Sequence, residues 1–216
     1  MAIHATLRGT GVEHRIRLLT GCTDGPPLVP YPSDIAHLLA VICSATLGGP
    51  EHGYRSIVNH LNRTTTDEAV RRQRRELASV LYAELSTRYV AVYPNLPVGV
   101  PYTGTVPAIG ITKTAQIETL AFNLHDAGPQ MDHAPYWSAV LDVYASGVAT
   151  TTGVRPTIGR VLYRSGGILT IPCDGLLSAM ADLLVAQGIA DVRRRGPWCP
   201  ACPIGCRAVV ERPTRR

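Results

Sequence analysis

The sequence is short of lysine, of charge and of long apolar runs. Lys113 is the only lysine among 21 basic residues, and charged side chains make up 17% of 216 positions, below the usual quarter. Phe122 is the only phenylalanine. No stretch approaches about 18 uninterrupted apolar residues, which excludes a membrane-spanning helix. The N-terminus lacks the basic-then-apolar layout of an export signal, so a cytoplasmic, reducing setting is expected. In such a setting disulfides are a poor default for the six cysteines, and metal ligation a better one. Hydrophobic residues reach 45%, enough for a core, so intrinsic disorder of the body is excluded as well.

What the chain does have is arginine. The net charge is +5 with a pI near 9.0, which suits a polyanionic partner. The charge is clustered at Arg71, Arg72, Arg74 and Arg75, then at Arg193, Arg194 and Arg195, then at Arg212, Arg215 and Arg216. These runs predict phosphate contacts, with the first on one face of a helix.

Periodicity predicts short strands over Ile3–Leu7 and His14–Leu19, then a Gly/Pro-rich turn through Pro30. Ser33 is the expected cap of a helix ending near Cys43, and a second helix follows from His52 to Leu61. Thr66 or Asp67 caps the strongest helix, whose seam is Val70, Leu77, Leu81 and Leu85. Strands are expected over Tyr89–Tyr93, Thr105–Thr112 and Gln116–Leu124, with residues 94–104 as a turn. A helix over Asp132–Ala145 leads through a Thr/Gly-rich link to a hairpin, Ile158–Arg164 and Ile168–Ile171, turning at Ser165-Gly166-Gly167. Asp174 then caps a helix with Leu176, Leu177, Met180, Leu183 and Leu184 turned inward. The order predicts an α/β or α+β domain, a mixed sheet flanked by helices. Its main body spans 32–216, after an N-terminal strand-and-loop segment over 1–31.

The most informative local feature is Cys199-Pro-Ala-Cys202-Pro-Ile-Gly-Cys206. Three thiols within eight residues, separated by Pro and Gly, converge as metal ligands do. Zinc and a [4Fe–4S] cluster both take four ligands, so a fourth comes from Cys22, Cys43 or Cys173. Cys43, at the end of an apolar helix, fits that part best. The absence of a second Cys-x-x-Cys half favours the cluster over zinc.

The succession of these segments resembles the RecB-family PD-(D/E)XK nucleases, and especially their iron–sulfur branch. That branch holds the CRISPR-associated RecB-like exonucleases and the nuclease domains of replication helicase-nucleases. Ser33 through Cys43 is similar to the family's helix leading to its first cysteine. Gly48 to His52 is similar to its Gly-x-x-x-His motif. The run from Gly159 to Ile171, the helix after it and Trp198–Cys206 look like its C-terminal third. The resemblance spans about Pro32 to Val210. It implies a restriction-endonuclease-like mixed sheet, a [4Fe–4S] cluster on Cys43, Cys199, Cys202 and Cys206, and phosphodiester hydrolysis with Mg²⁺ or Mn²⁺.

The chain departs from the pattern where that chemistry sits. The acid-x-Lys of the second active-site strand is replaced by Asn123-Leu124-His125, and the Asp expected after Gly104 is Pro107. Val140 stands where a Gln is expected four residues before Tyr144. Lys113, Glu118 and Asp126 are possible substitutes, none repairing both losses. The residues at the degenerate catalytic positions are therefore His52, Asn123 and His125. The expected function is a DNA-binding protein, acting on single strands or ends, with weak or no nuclease activity. An active divalent-metal exonuclease and a structural subunit that makes protein contacts are the other readings.

Overall fold

The structure, a computed structural model, describes residues 11–21, 31–125, 128–129 and 133–189. Helix α1 (Val12–Thr20) comes first, followed by α2 (Ser33–Ala45), a short 3-10 turn (Thr46–Gly48), α3 (Pro50–Thr64) and α4 (Glu68–Arg88). Strands β1 (Tyr89–Val98), β2 (Gly104–Thr112) and β3 (Ile117–Asn123) follow as a meander. Then come α5 (Ala134–Thr152), β4 (Ile158–Tyr163), β5 (Ile168–Pro172) and α6 (Leu176–Ala186).

The five strands form one mixed sheet in chain order. Neighbours are antiparallel except β3 and β4, which run parallel with Thr119 opposite Gly159 and Asn123 opposite Tyr163. A parallel pair needs a crossover, and α5 is that crossover. Helices cover both faces. One core packs α2, α3 and α4 against Ala108, Leu120, Phe122 and Leu162 of the sheet. The other packs α1 and α5 against Ile109, Ala121, Val161 and Tyr163. With both faces covered, β3 is buried along almost its whole length, as expected of a central strand. The expected mixed α/β architecture is therefore present.

Several elements differ from expectation. Residues His14–Leu19 are helical, because Val12, Ile16 and Thr20 recur at helical spacing and bury one side against the sheet; this helix makes residues 11–21 part of the main core. Gly21, at φ 65°, closes α1 by donating its N–H to the Arg17 carbonyl at 2.7 Å. Strand β1 continues through Pro94 and Pro97 to Val98. It lies at the sheet edge, where a missing N–H breaks no ladder. Helix α5 runs on past Ala145 to Thr152, since Gly147 lets it approach Val98 and Tyr102 closely.

Caps differ too. Asp67 caps α4 as expected, accepting the Val70 N–H at 2.9 Å. Ser33 is instead the first residue of α2, which starts after Pro32.

Helix α6 departs most. Leu176, Met180 and Leu183 are exposed, while Ser178 and Ala181 are the buried residues. The reason is a carboxylate on α5. Asp142, 2% exposed, accepts the N–H groups of Gly175 and Ser178, both at 2.8 Å, and an Arg155 Nη2 bond at 2.9 Å. Satisfying the first-turn donors of α6 from beneath turns its polar side inward. The cap position belongs to Gly175 rather than to the expected Asp174, whose carboxylate accepts the Leu176 N–H at 3.0 Å. A second tie runs to α1, where Arg15 meets Asp182 at 2.7 Å and Tyr102 donates to the same carboxylate at 2.8 Å.

Candidate functional site

Strand β3 ends at Asn123, and the chain beyond it borders a cleft of about 420 Å³ between α2, α4 and the end of the sheet. Tyr31 fixes this end. Its hydroxyl donates to the Phe122 carbonyl at 2.9 Å and accepts the Leu124 N–H at 3.1 Å. The imidazole of His125, exposed, stacks on the Tyr31 ring at 5.6 Å between centroids, with 21° between planes. Arg74, Glu76 and Arg164 add charge to the cleft walls.

Asn123 is 1% exposed. Its Oδ1 accepts the His125 backbone N–H at 3.2 Å, an Asx-turn geometry that shapes the strand's exit. His52 is exposed on the first turn of α3 and does not line the cleft that holds His125. Among the described residues no group of three His, Cys, Asp or Glu side chains is arranged to hold a metal ion.

Neither alternative residue in the described part stands at this end. Lys113 is exposed in the Thr112–Gln116 turn joining β2 to β3, at the opposite end of β3 from Asn123. Glu118 is buried and bound to Arg160, with Nε to Oε2 at 2.6 Å and Nη2 to Oε1 at 3.1 Å. It also accepts the Tyr89 hydroxyl at 2.7 Å. Burial alone would raise its pKa, but the hydrogen bonds from Arg160 and Tyr89 and the charge of Arg160 outweigh it and hold the carboxyl below its usual value. This carboxylate is saturated by the protein. Asp126 lies outside the described residues.

The arginine run on α4 divides by contact. Arg71 donates to the Thr65 and Thr66 carbonyls at 3.0 and 3.1 Å and pairs with Glu68 at 3.0 Å. Arg74 pairs with Asp34 of α2 and donates to Thr65 Oγ1 at 3.1 Å. Arg75 donates to Asn62 of α3. Arg72 is exposed. Three of these four guanidinium groups thus bind α4 to its neighbours, Arg71 through carbonyls of the loop before the helix, Arg74 through a side chain of that loop and one of α2, and Arg75 through a side chain of α3. Arg193, Arg194 and Arg195 lie outside the described residues.

Of the four proposed cysteine ligands, Cys43 alone is described. It is 1% exposed, packed in the core with Leu38, Leu39 and Ile42, and burial pushes its thiol up to about 12. Those surroundings favour the neutral thiol, whereas iron and zinc take thiolate. Cys199, Cys202 and Cys206, with Cys22, fall outside the described residues. Cys173 is also buried.

Sequence reasoning missed Tyr31, the Glu118–Arg160 pair and the Asp142–Arg155 pair. The available signal was a charge inside an apolar element, as with Arg160 in β4 and Asp142 in α5. No family model matches the chain. A search of curated proteins likewise finds no match.

Proposed function

We propose that the chain is a DNA-binding protein on a RecB-like nuclease frame, with weak or no phosphodiester hydrolysis. The observation that carries this reading is the end of β3, where Asn123 and His125 stand in place of the acid and lysine of the resemblance. Asn123 Oδ1 accepts the His125 backbone N–H, and His125 stacks on Tyr31. Mg²⁺ and Mn²⁺ bind through hard oxygen ligands, carboxylates above all. The neighbouring strand offers Pro107 in place of the second carboxylate. Glu118, the carboxylate on β3, is held by Arg160 and Tyr89. The mixed sheet with helices on both faces is the coarse frame that the resemblance implies.

Binding to single-stranded DNA or DNA ends would use Arg72, Arg164 and the C-terminal Arg193–Arg195 run for phosphates. Such contacts release counterions, so affinity falls steeply with salt. Protein partners in a DNA-processing complex would share this surface. A [4Fe–4S] cluster belongs to the proposal through Cys199, Cys202 and Cys206. Cys43 as the fourth ligand would need its thiol to ionise in surroundings that hold it neutral.

Labelled single-stranded DNA incubated with the protein and Mn²⁺ is expected to be bound in a salt-dependent way and to remain intact. Degradation abolished by His52→Ala would replace this reading with an active exonuclease. An absence of binding at low salt would favour a subunit that only contacts proteins. Anaerobically purified protein is expected to be brown; colourless protein holding one zinc would remove the cluster.

A further inference from the structure

We propose that His37 and His60 form a transition-metal site between α2 and α3, taking Zn²⁺, Ni²⁺ or Cu²⁺ with water completing the coordination. His37 sits on the second turn of α2, and His60 near the C-terminal end of α3. Their ring centroids are 5.0 Å apart with planes tilted by 43°. A metal–imidazole bond of about 2.0–2.1 Å puts each ring centre roughly 3.2 Å from the ion, so two imidazoles on one tetrahedral ion have centres about 5 Å apart. The two helices already hold the rings at that separation.

The rings open onto a cleft of about 360 Å³ bounded by Ser33, Asp34, Thr64 and Arg74, with room for an ion and its waters. Among the described residues lining the cleft the one acid is Asp34, which is ion-paired with Arg74. Asp34 is three residues before His37, hence on the same face of α2. Arg74 and Arg63 are the cations that the ion would face, and they favour a moderate affinity. Imidazole donors select zinc, nickel and copper over magnesium and calcium, so this site is distinct from the carboxylate chemistry of a nuclease centre and independent of the DNA-binding proposal.

The test titrates Ni²⁺ into the full-length chain while the ring protons of its seven histidines are followed by NMR, assigned through single His→Gln variants. The paramagnetic ion is expected to broaden His37 and His60 together, before any other histidine. His37→Ala and His60→Ala are each expected to weaken that binding by at least about tenfold, the scale on which even outer-shell partners act. Broadening that begins at other histidines, or an unchanged affinity in both variants, overturns the proposal. Because the signal is resolved by residue, nickel captured by the C-terminal cysteines does not mimic it.

Discussion

Arg160 on β4 grips the buried carboxylate of Glu118 on β3 with two donors, at 2.6 and 3.1 Å, and reaches on to Thr170 of β5 at 2.7 Å. From the other side Tyr89 of β1 donates its hydroxyl to Glu118 at 2.7 Å. A polar row thus crosses the sheet from β1 to β5 on the face that packs against α2, α3 and α4. The Tyr89 ring can span β2 only because Gly110 lies under it; an added Cβ would sit 2.5 Å from the ring.

Arg160→Met leaves the Glu118 carboxylate buried and unpaired, which costs about 3–5 kcal/mol. Urea denaturation followed by circular dichroism measures it. An unchanged midpoint would mean that the pair contributes nothing to the folded state.

The same pair makes the fold acid-sensitive. Glu118 has its folded pKa held below the unfolded value, so its contribution is complete above the unfolded pKa. It is lost as pH falls through the lower, folded one. Glu118→Gln removes the titrating group, and its stability is expected to fall less between neutral and acid pH than that of the natural chain. Parallel pH profiles for the two proteins would refute this.

Gly110→Ala drives a methyl group into the Tyr89 ring. Overpacking of this kind costs roughly 1–3 kcal/mol. Tyr89→Ala made together with it removes the clash and deepens a cavity, so the double variant is expected to be less destabilised than the sum of the single ones. Additive losses, read from thermal melts, would show that ring and methyl do not meet.

Much of this architecture was legible in the pattern of apolar residues. Leu81 and Leu85 at helical spacing, and Leu120 and Phe122 at strand spacing on one face of β3, point to their elements because packing a helix and a sheet face together imposes those periods. What was not legible depended on distant partners. Leu176, Met180 and Leu183 read as an inward seam, yet Asp142, 33 to 36 residues earlier in the chain, turns that helix over through Gly175 and Ser178. The α4 arginines read as a solvent face until the Thr65 carbonyl and Asp34 come within reach. At the end of β3, Asn123 closes the strand as read, but His125 lies beyond it, exposed and stacked on Tyr31, and the helical His52 faces solvent away from both.

Asp142→Ala removes an acceptor shared by two backbone N–H groups and Arg155, leaving the guanidinium half-buried without its carboxylate. A loss of about 3 kcal/mol is expected. It is expected to be local, with amides of α6 exchanging with deuterium faster while those of α5 and β3 stay protected. Uniform acceleration across the fold would mean that α6 unfolds only with the whole.

Cys43 and Cys173 test how the cysteines are used. Burial raises both thiols to about 12, with the Asp142 charge adding to the effect at Cys173. The nucleophile in alkylation is the thiolate, so in mildly alkaline buffer both are expected to resist iodoacetamide while folded and to react once urea unfolds the chain. Peptide-level mass spectrometry reads each site separately. For Cys43 the decisive comparison is protein with and without iron. A core thiol keeps its protection when iron is stripped under native conditions, as its surroundings of Leu38, Leu39 and Ile42 predict. Labelling of Cys43 that appears on iron removal alone would instead place its sulfur on the proposed cluster.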